Sequence, residues 1–378
     1  MSDFAATGLN PAGQWAASAR GYATPTAVQL AAIPAILEGR DVWACAQTGS
    51  GKTAAFALPI IERCAAHEAG HPLLALVLVP TRELAAQIAE AFVDFARFAK
   101  RKVKMVMAMG GVSINPQMMA LRGGADVVIA TPGRFLDLLA NNAIHPHQLK
   151  MLVLDEADRL LELGFAEELN KILTALPAKR QNLLFSATFP TEVHNLAEQA
   201  LHHPLRIDVP DSTETTPRIE QRSIHVDTAD RTQLLRHLIE QHRWSQTLVF
   251  TATRYSTEHV AMKLRRAGLS AAALHGELSQ SARTKALADF KAGDLQVLIA
   301  TDLAARGIDI LDLPAVVNYD LPRSTRDYVH RIGRTGRAGN AGVAVSFVTA
   351  ESEAHFRLIE KRNSMRLPRE VIPGFEPG

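Results

Sequence analysis

Short runs of consecutive apolar residues recur along the chain, most of them ending in Gly, Pro, Ser or Thr. DVWACAQTG begins at Asp41, LALVLVPT at Leu74, DVVIATPG at Asp126, MLVLDEAD at Met151 and NLLFSAT at Asn182. Between them lie longer stretches with helical spacing, such as RELAAQIAEAFVDFARFAK from Arg82. Strands apolar throughout, alternating with amphipathic helices, predict a parallel sheet covered by helices on both faces. The pattern breaks at VPDSTETTPRIEQ, which begins at Val209, is polar and contains two prolines, and predicts a linker over 209–217. It then restarts with TLVFTAT, SAAALHG, LQVLIATD, AVVNYD and GVAVSFVT. The expectation is two α/β lobes, 1–208 and 218–378. The final LPREVIPGFEPG, rich in Pro and Gly, is expected to fray.

Length agrees with two lobes, since 378 residues at roughly 150 per domain give about two. A hydrophobic content of 47% excludes general disorder. The net charge is only +2, with 18 basic against 19 acidic residues through Asp208 and 23 against 20 beyond it. Nucleic-acid binding would therefore depend on a local patch rather than a basic tail. Cys45 and Cys64 have neither a disulfide framework nor metal spacing, which suits a reducing compartment. The opening MSDFAATGLN lacks the basic and apolar regions of a signal peptide, and no apolar run reaches the about 18 residues of a membrane span. A cytoplasmic chain without membrane contact is expected, and a monomer.

AQTGSGKT, residues 46–53, stands between an apolar strand and a helical stretch, the context of a phosphate-binding loop. Backbone N–H groups of Ala46, Thr48, Gly49, Ser50 and Gly51 and the following helix N-terminus would cradle phosphates. Lys52 would reach the outer phosphates and Thr53 a magnesium ion. The usual pattern opens on Gly, and Ala46 holds that position here. In MLVLDEAD, four apolar residues put Asp155 at a strand end, where its carboxylate can hold Mg²⁺ through water, with Glu156 beside it to orient or deprotonate an attacking water. An acidic first helical turn is the plainer reading of these carboxylates, but a phosphate loop upstream in the same lobe favours Mg-ATP. HRIGRTGRAGN, from His330, concentrates arginine and glycine as phosphate contacts do.

Taken in order, these segments resemble the DEAD-box ATP-dependent RNA helicases of superfamily 2, most closely the compact bacterial RhlE-like branch on the IPGFEP ending. DEAD stands at 155–158. GYATPTAVQ (21–29), PTREL (80–84), GG (110–111), TPGR (131–134) and SAT (186–188) complete the first lobe. LVFTATR (248–254), ALHGELSQSAR (273–283), ATDLAARGID (300–309) and HRIGRTGR (330–337) populate the second. The resemblance implies two RecA-like lobes, ATP and Mg²⁺ as ligands, and ATP hydrolysis that unwinds short RNA duplexes or remodels RNA–protein complexes by lobe closure. Gln29 is implied to read the adenine edge, with Phe4 or Tyr22 stacking near the base. Arg334 and Arg337 are implied to reach the γ-phosphate, Arg337 as an arginine finger worth about 10³ to 10⁵ in rate. Gly307 and Asp309 match positions near ribose and phosphates. Asp158, Ser186, Thr188, His330 and Arg331 match residues that couple hydrolysis to strand separation.

RNA contacts are implied at Thr81, Arg82, Gly110, Gly111, Thr131 and Arg134 in the first lobe, and at Arg254, Arg283, Thr301 and Arg306 in the second. Hydroxyls, backbone amides and arginines grip a phosphodiester backbone with little base information, and a 2′-OH can distinguish RNA. Ribosomal or RNA-decay proteins are the expected partners. An ATP-gated RNA clamp or annealing factor would carry the same motifs, and strand displacement against ATP turnover separates the two. A DNA-directed helicase is the other rival, separated by RNA against DNA stimulation.

HEAGH, residues 67–71, is a literal zinc-protease pattern. Gly70 and Pro72 flank His71, so the helix this chemistry requires is expected to end there, and no zinc site is expected. His145, His147, His202 and His203 read as surface loops beside prolines, and Cys45 as a buried small residue.

Overall fold

The computed structural model describes residues 3–378 apart from 47–48, 68–69, 210–218, 306–309, 311 and 337–341, and only the backbone of Arg326. The chain packs as two units, Met1–Asp211 and Ser212–Gly378. In the first, the five apolar runs become β1 (Val42–Cys45), β2 (Ala75–Leu78), β4 (Val127–Ala130), β5 (Met151–Leu154) and β6 (Gln181–Ser186), and two strands the runs did not mark, β3 (Met105–Ala108) and β7 (Leu205–Asp208), join them. They form one sheet in the order β3-β4-β2-β5-β6-β1-β7, parallel at every pairing.

The sheet explains why its strands are apolar throughout rather than alternating. Side chains point to opposite faces with a period of two, and helices cover both faces. Ala75, Val77, Val127 and Ile129 enter one core with Phe56, Phe92 and Phe185. Leu76, Leu78, Val128 and Ala130 enter the other with Phe135, Leu152 and Leu160.

The second unit repeats the plan. β8 (Ile219–His225), β9 (Thr247–Thr251), β10 (Ala271–Leu274), β11 (Val297–Thr301), β12 (Ala315–Asn318), β13 (Gly342–Val348) and β14 (Arg369–Glu370) form a parallel sheet in the order β10-β11-β9-β12-β13-β8-β14. Strand for strand this is the order of the first sheet, with β8 in the place of β1, β9 of β2 and β12 of β5. Val249, Val297 and Ile299 face one core, and Leu248, Phe250, Leu298 and Ala300 the other.

The chain end does not fray. β14 pairs with β8, Arg369 lies 2.9 Å from Glu353 and 2.8 Å from Glu360, and Arg222 lies 2.6 Å from Glu370. Ile372 and Phe375 pack against the core of the second unit. Composition predicted fraying because the Pro and Gly that mark disorder also build a turn, and a pairing with residues over 140 positions away leaves no local signal.

The two histidines of the zinc pattern lie outside any helix. The helix Lys52–Ala65 stops before His67, and His71 Nδ1 lies 2.8 Å from the fully buried Asp126 carboxylate. At the amino-terminal edge of β2 and β4 a cavity of 640 Å³ is lined by residues that include His71, Leu73, Leu121, Arg122, Ile144 and Gln148. Among the described residues no helix is long and apolar enough to cross a membrane.

Candidate active site and RNA-binding surface

A parallel sheet puts the carboxyl ends of its strands, and the N-termini of the helices that follow, along one edge where ligands collect. The described sequence-predicted residues of the first unit from Ala46 onward lie at this edge. After β1 the chain turns through Gly49 (φ 86°) and Gly51 (φ 91°) into the helix that opens on Lys52. Such backbone angles suit glycine. A Cβ on Gly51 would also collide with the Gln29 amide. Lys52 is buried, and its Nζ donates to the Ala46 carbonyl at 2.8 Å. Thr53 follows on the same helix, half-buried. Thr48 lies outside the described residues.

Gln29 is buried and makes two bonds inside the protein. Its Oε1 accepts from Thr26 N at 2.9 Å, capping the helix Ala27–Glu38, and its Nε2 donates to Gly51 O at 3.1 Å. Thr26 Oγ1 donates to Ser50 O at 2.7 Å, so this segment braces the phosphate loop. Phe4, expected as a base-stacking ring, is 0% exposed in the core. The short 3₁₀ helix Asp3–Thr7 lays it there and leaves no free face. Tyr22 is half-buried, its ring centroid 6.3 Å from that of Phe95.

Asp155 directly follows β5 and is 3% exposed; burial pushes its carboxyl above the ordinary range, with Lys52 pulling the other way. A buried carboxyl of this kind is a donor that a hard divalent cation holds ionised, so these residues fit magnesium beside a phosphate loop. Glu156 adopts a left-handed backbone (φ 51°, ψ 53°) at the junction of strand and helix. Asp158 is bound to the SAT segment: its Oδ2 accepts from Thr188 N at 3.1 Å and from Thr188 Oγ1 at 2.7 Å. Ser186 Oγ accepts from Asp158 N at 3.3 Å and donates to Thr188 O at 2.7 Å. Cys45, half-buried rather than buried, lies beside them, its Sγ 3.6 Å from the Ala187 carbonyl.

The six RNA candidates of the first unit gather beyond β2, β3 and β4. Thr81 Oγ1 caps the helix Arg82–Ala96 by accepting from Leu84 N at 3.2 Å. The Arg82 guanidinium lies against Gly111, where a Cβ would overlap it. Gly110 N donates to Thr131 Oγ1 at 3.2 Å. Arg134 is buried and donates from Nη2 to Val112 O at 2.8 Å, while its buried Nη1 has no hydrogen-bond partner among the described residues.

In the second unit, Thr253 caps the helix that begins at Arg254, and Arg254 pairs with Glu277. Arg283 is buried on the helix Gln280–Ala292, and Thr301 ends β11. Arg331, 2% exposed, donates to Asp302 at 2.6 and 2.7 Å, to Asn318 Oδ1 at 2.9 Å and to Asp320 O at 2.7 Å. Exposed His330 precedes it, and half-buried Arg334 follows the helix Thr325–Ile332. Arg306, Gly307, Asp309 and Arg337 lie outside the described residues. The sequence reading did not single out Thr26, Arg231, Asp302 or Asp320. Asp320 carried a usable signal, since it closes AVVNYD much as Asp155 closes MLVLD.

These features define a phosphate-loop α/β enzyme with two lobes of one topology. A DEAD/DEAH box helicase family model matches residues 26–196, and a helicase conserved C-terminal domain model matches residues 230–339. The chain belongs to the DEAD-box family of ATP-dependent RNA helicases. It is 43% identical over 353 residues to the ATP-dependent rRNA helicase rrp3 of Emericella nidulans, covering 93% of this chain and 75% of that protein. It is 41% identical over 356 residues to the ATP-dependent RNA helicase DeaD of Mycobacterium tuberculosis, covering 94% and 62% respectively. The chain thus spans under two thirds of DeaD. Among solved structures, S. cerevisiae Dbp5 bound to RNA and ADP BeF3 superposes with a TM-score of 0.86 at 30% identity, over 98% of this chain and 96% of that one. The chain is an RNA-dependent ATPase with RNA-remodelling activity.

Proposed function

We propose that the chain opens short RNA duplexes, or strips proteins from RNA, by ligand-driven closure of a first lobe over 1–208 and a second over 218–378 joined by a linker over 209–217. The observation that carries this reading is the hydrogen-bonded bridge from Asp158 to Ser186 and Thr188, which ties the DEAD carboxylates to the segment implied in strand separation. Lys52 leaves the Ala46 carbonyl to bind the outer phosphates. Asp155 and Thr53 would hold magnesium, which would supply neutralisation of the charge that develops on the phosphates. Glu156 orients and deprotonates the attacking water. Arg334 and Arg337 act on the γ-phosphate, and Gly307 and Asp309 lie by the ribose and phosphates. Gln29 holds the loop through Gly51 and presents its remaining polar capacity to adenine, with Tyr22 as the ring near the base.

Thr81, Arg82, Gly110, Gly111, Thr131 and Arg134, with Arg254, Arg283, Thr301 and Arg306, grip one RNA strand by its backbone. The RhlE-like branch, a cytoplasmic site of action, a monomer, and ribosomal or RNA-decay protein partners belong to the same reading. Steady-state ATP turnover with magnesium, alone and with matched single-stranded RNA or DNA, tests it. Strong stimulation by RNA alone is expected, with strand displacement scaling with turnover. Equal stimulation by DNA defeats the RNA assignment, and turnover without displacement leaves an RNA clamp.

A further inference from the structure

Because the two sheets share one strand order, positions after each strand in the second unit have counterparts in the first. Lys52 opens the helix after β1, and Arg231 opens the helix Arg231–His242 after β8. Asp155 follows β5, and Asp320 stands two residues after β12. In the first unit these positions frame the phosphate loop. In the second, VDTAD (226–230) replaces that loop without a glycine, and Arg231 lines a crevice of about 260 Å³ together with Thr228, Tyr319 and Asp320. Its Nη1 donates to Asp320 Oδ1 at 2.6 Å and to Tyr319 O at 2.9 Å, and the guanidinium lies 4.5 Å from the Tyr319 ring centroid.

With one carboxylate oxygen fixed by Arg231, the other reaches elsewhere. Asp320 Oδ2 accepts from Ala252 N at 2.8 Å and from Ser256 Oγ at 3.4 Å, on either side of Arg254. The Asp320 carbonyl accepts from Arg331, which also clamps Asp302 immediately after Thr301. One residue therefore joins the Arg254 turn, the end of β11 and the helix leading to Arg334. A carboxylate shared by two donors on one turn and a guanidinium opposite holds that turn in one geometry.

We propose that Asp320, countered by Arg231, is a positioning residue that sets the Arg254 turn for RNA and makes RNA affinity respond to bound nucleotide. This rests on the reading of Arg254 and Thr301 as RNA contacts. The phosphate-site position of the second lobe has on this account become a brace for nucleic-acid recognition.

The test is RNA binding by Asp320→Ala and Asp320→Asn, with and without a non-hydrolysable ATP analogue, together with steady-state KM values. The tightening of single-stranded RNA by nucleotide is expected to fall about tenfold in Asp320→Ala and about threefold in Asp320→Asn. The KM for RNA should rise alongside while the KM for ATP at saturating RNA stays within about twofold of the parent. A loss of thermal stability with the tightening unchanged overturns the proposal and leaves the ion pair structural. Should Asp320→Ala fail to fold, Ser256→Ala removes one donor from the same oxygen; an RNA KM about twofold higher supports the proposal and an unchanged one overturns it. Arg254→Ala runs in parallel. RNA affinity indifferent to Arg254→Ala defeats the underlying contact assignment, whereas sensitivity to Arg254→Ala with indifference to Asp320 variants defeats only the positioning role.

Discussion

Glu156 takes a left-handed backbone at the end of β5, a conformation that costs a non-glycine residue on the order of 1 kcal/mol. That turn swings the chain from strand to helix and leaves Asp155 buried while Glu156 stays half-exposed. Glu156→Gln preserves shape and removes only the carboxylate proposed as the base. ATP and RNA binding are expected to persist while turnover falls at least about 100-fold, the usual weight of general-base catalysis, and single-turnover kinetics measure it. Asp126 carries a prediction about pH. Burial alone would raise its pKa, but Arg101, the Lys104 N–H and His71 win and hold it below the ordinary aspartate value. Its stabilisation is therefore complete above the unfolded pKa of about 3.9 and is lost as pH falls through the lower folded value. Urea midpoints followed downward from pH 5 should drop for the parent, and this drop should be shallower in Asp126→Asn.

At the scale of elements, apolar runs and their turn residues predicted five strands of each sheet, because a strand buried on two faces announces itself without partners, whereas the half-exposed β3, β7, β8 and β14 gave no such run. Residues whose role depends on a distant partner were not legible. Gln29 read as a free amide, yet Thr26 and Gly51 occupy it; Phe4 read as an open ring, yet it is fully buried in the core. Arg231 and Asp320 meet across 89 positions of sequence. Gly51 was legible in type, and the structure adds its second constraint, contact with the Gln29 amide. Gly51→Ala should therefore weaken ATP-analogue binding about tenfold or more and cost about 1–3 kcal/mol in urea unfolding. At the other end of the chain, Arg369→Ala strips the guanidinium from Glu360, which is 6% exposed, leaving Oε1 with the Leu367 N–H alone and Oε2 unmet. An unmet buried acceptor costs about 1–3 kcal/mol, read from the fluorescence of Trp244, the one tryptophan beyond Asp211.

For the whole molecule, a net charge of +2 leaves no general field to hold RNA, so on the proposed reading the placed arginines and amides do so. Binding to single strands should weaken with salt at a log–log slope near −0.7 per neutralised phosphate. Arg254→Ala should reduce that slope by about one such step, measured by anisotropy titrations across a salt series.

The sheets also have an opposite edge. The turn at Asn141 and Asn142, beside the cavity at the amino-terminal edge of the first sheet, is exposed and is remote along every strand from the proposed site residues. Chemistry confined to one rim leaves the other open to evolutionary drift, and exposed turns there are where insertions are accepted most readily. A fluorescent domain spliced in at Asn142 should travel with a working enzyme, which makes the silent rim the natural handle for watching the active one.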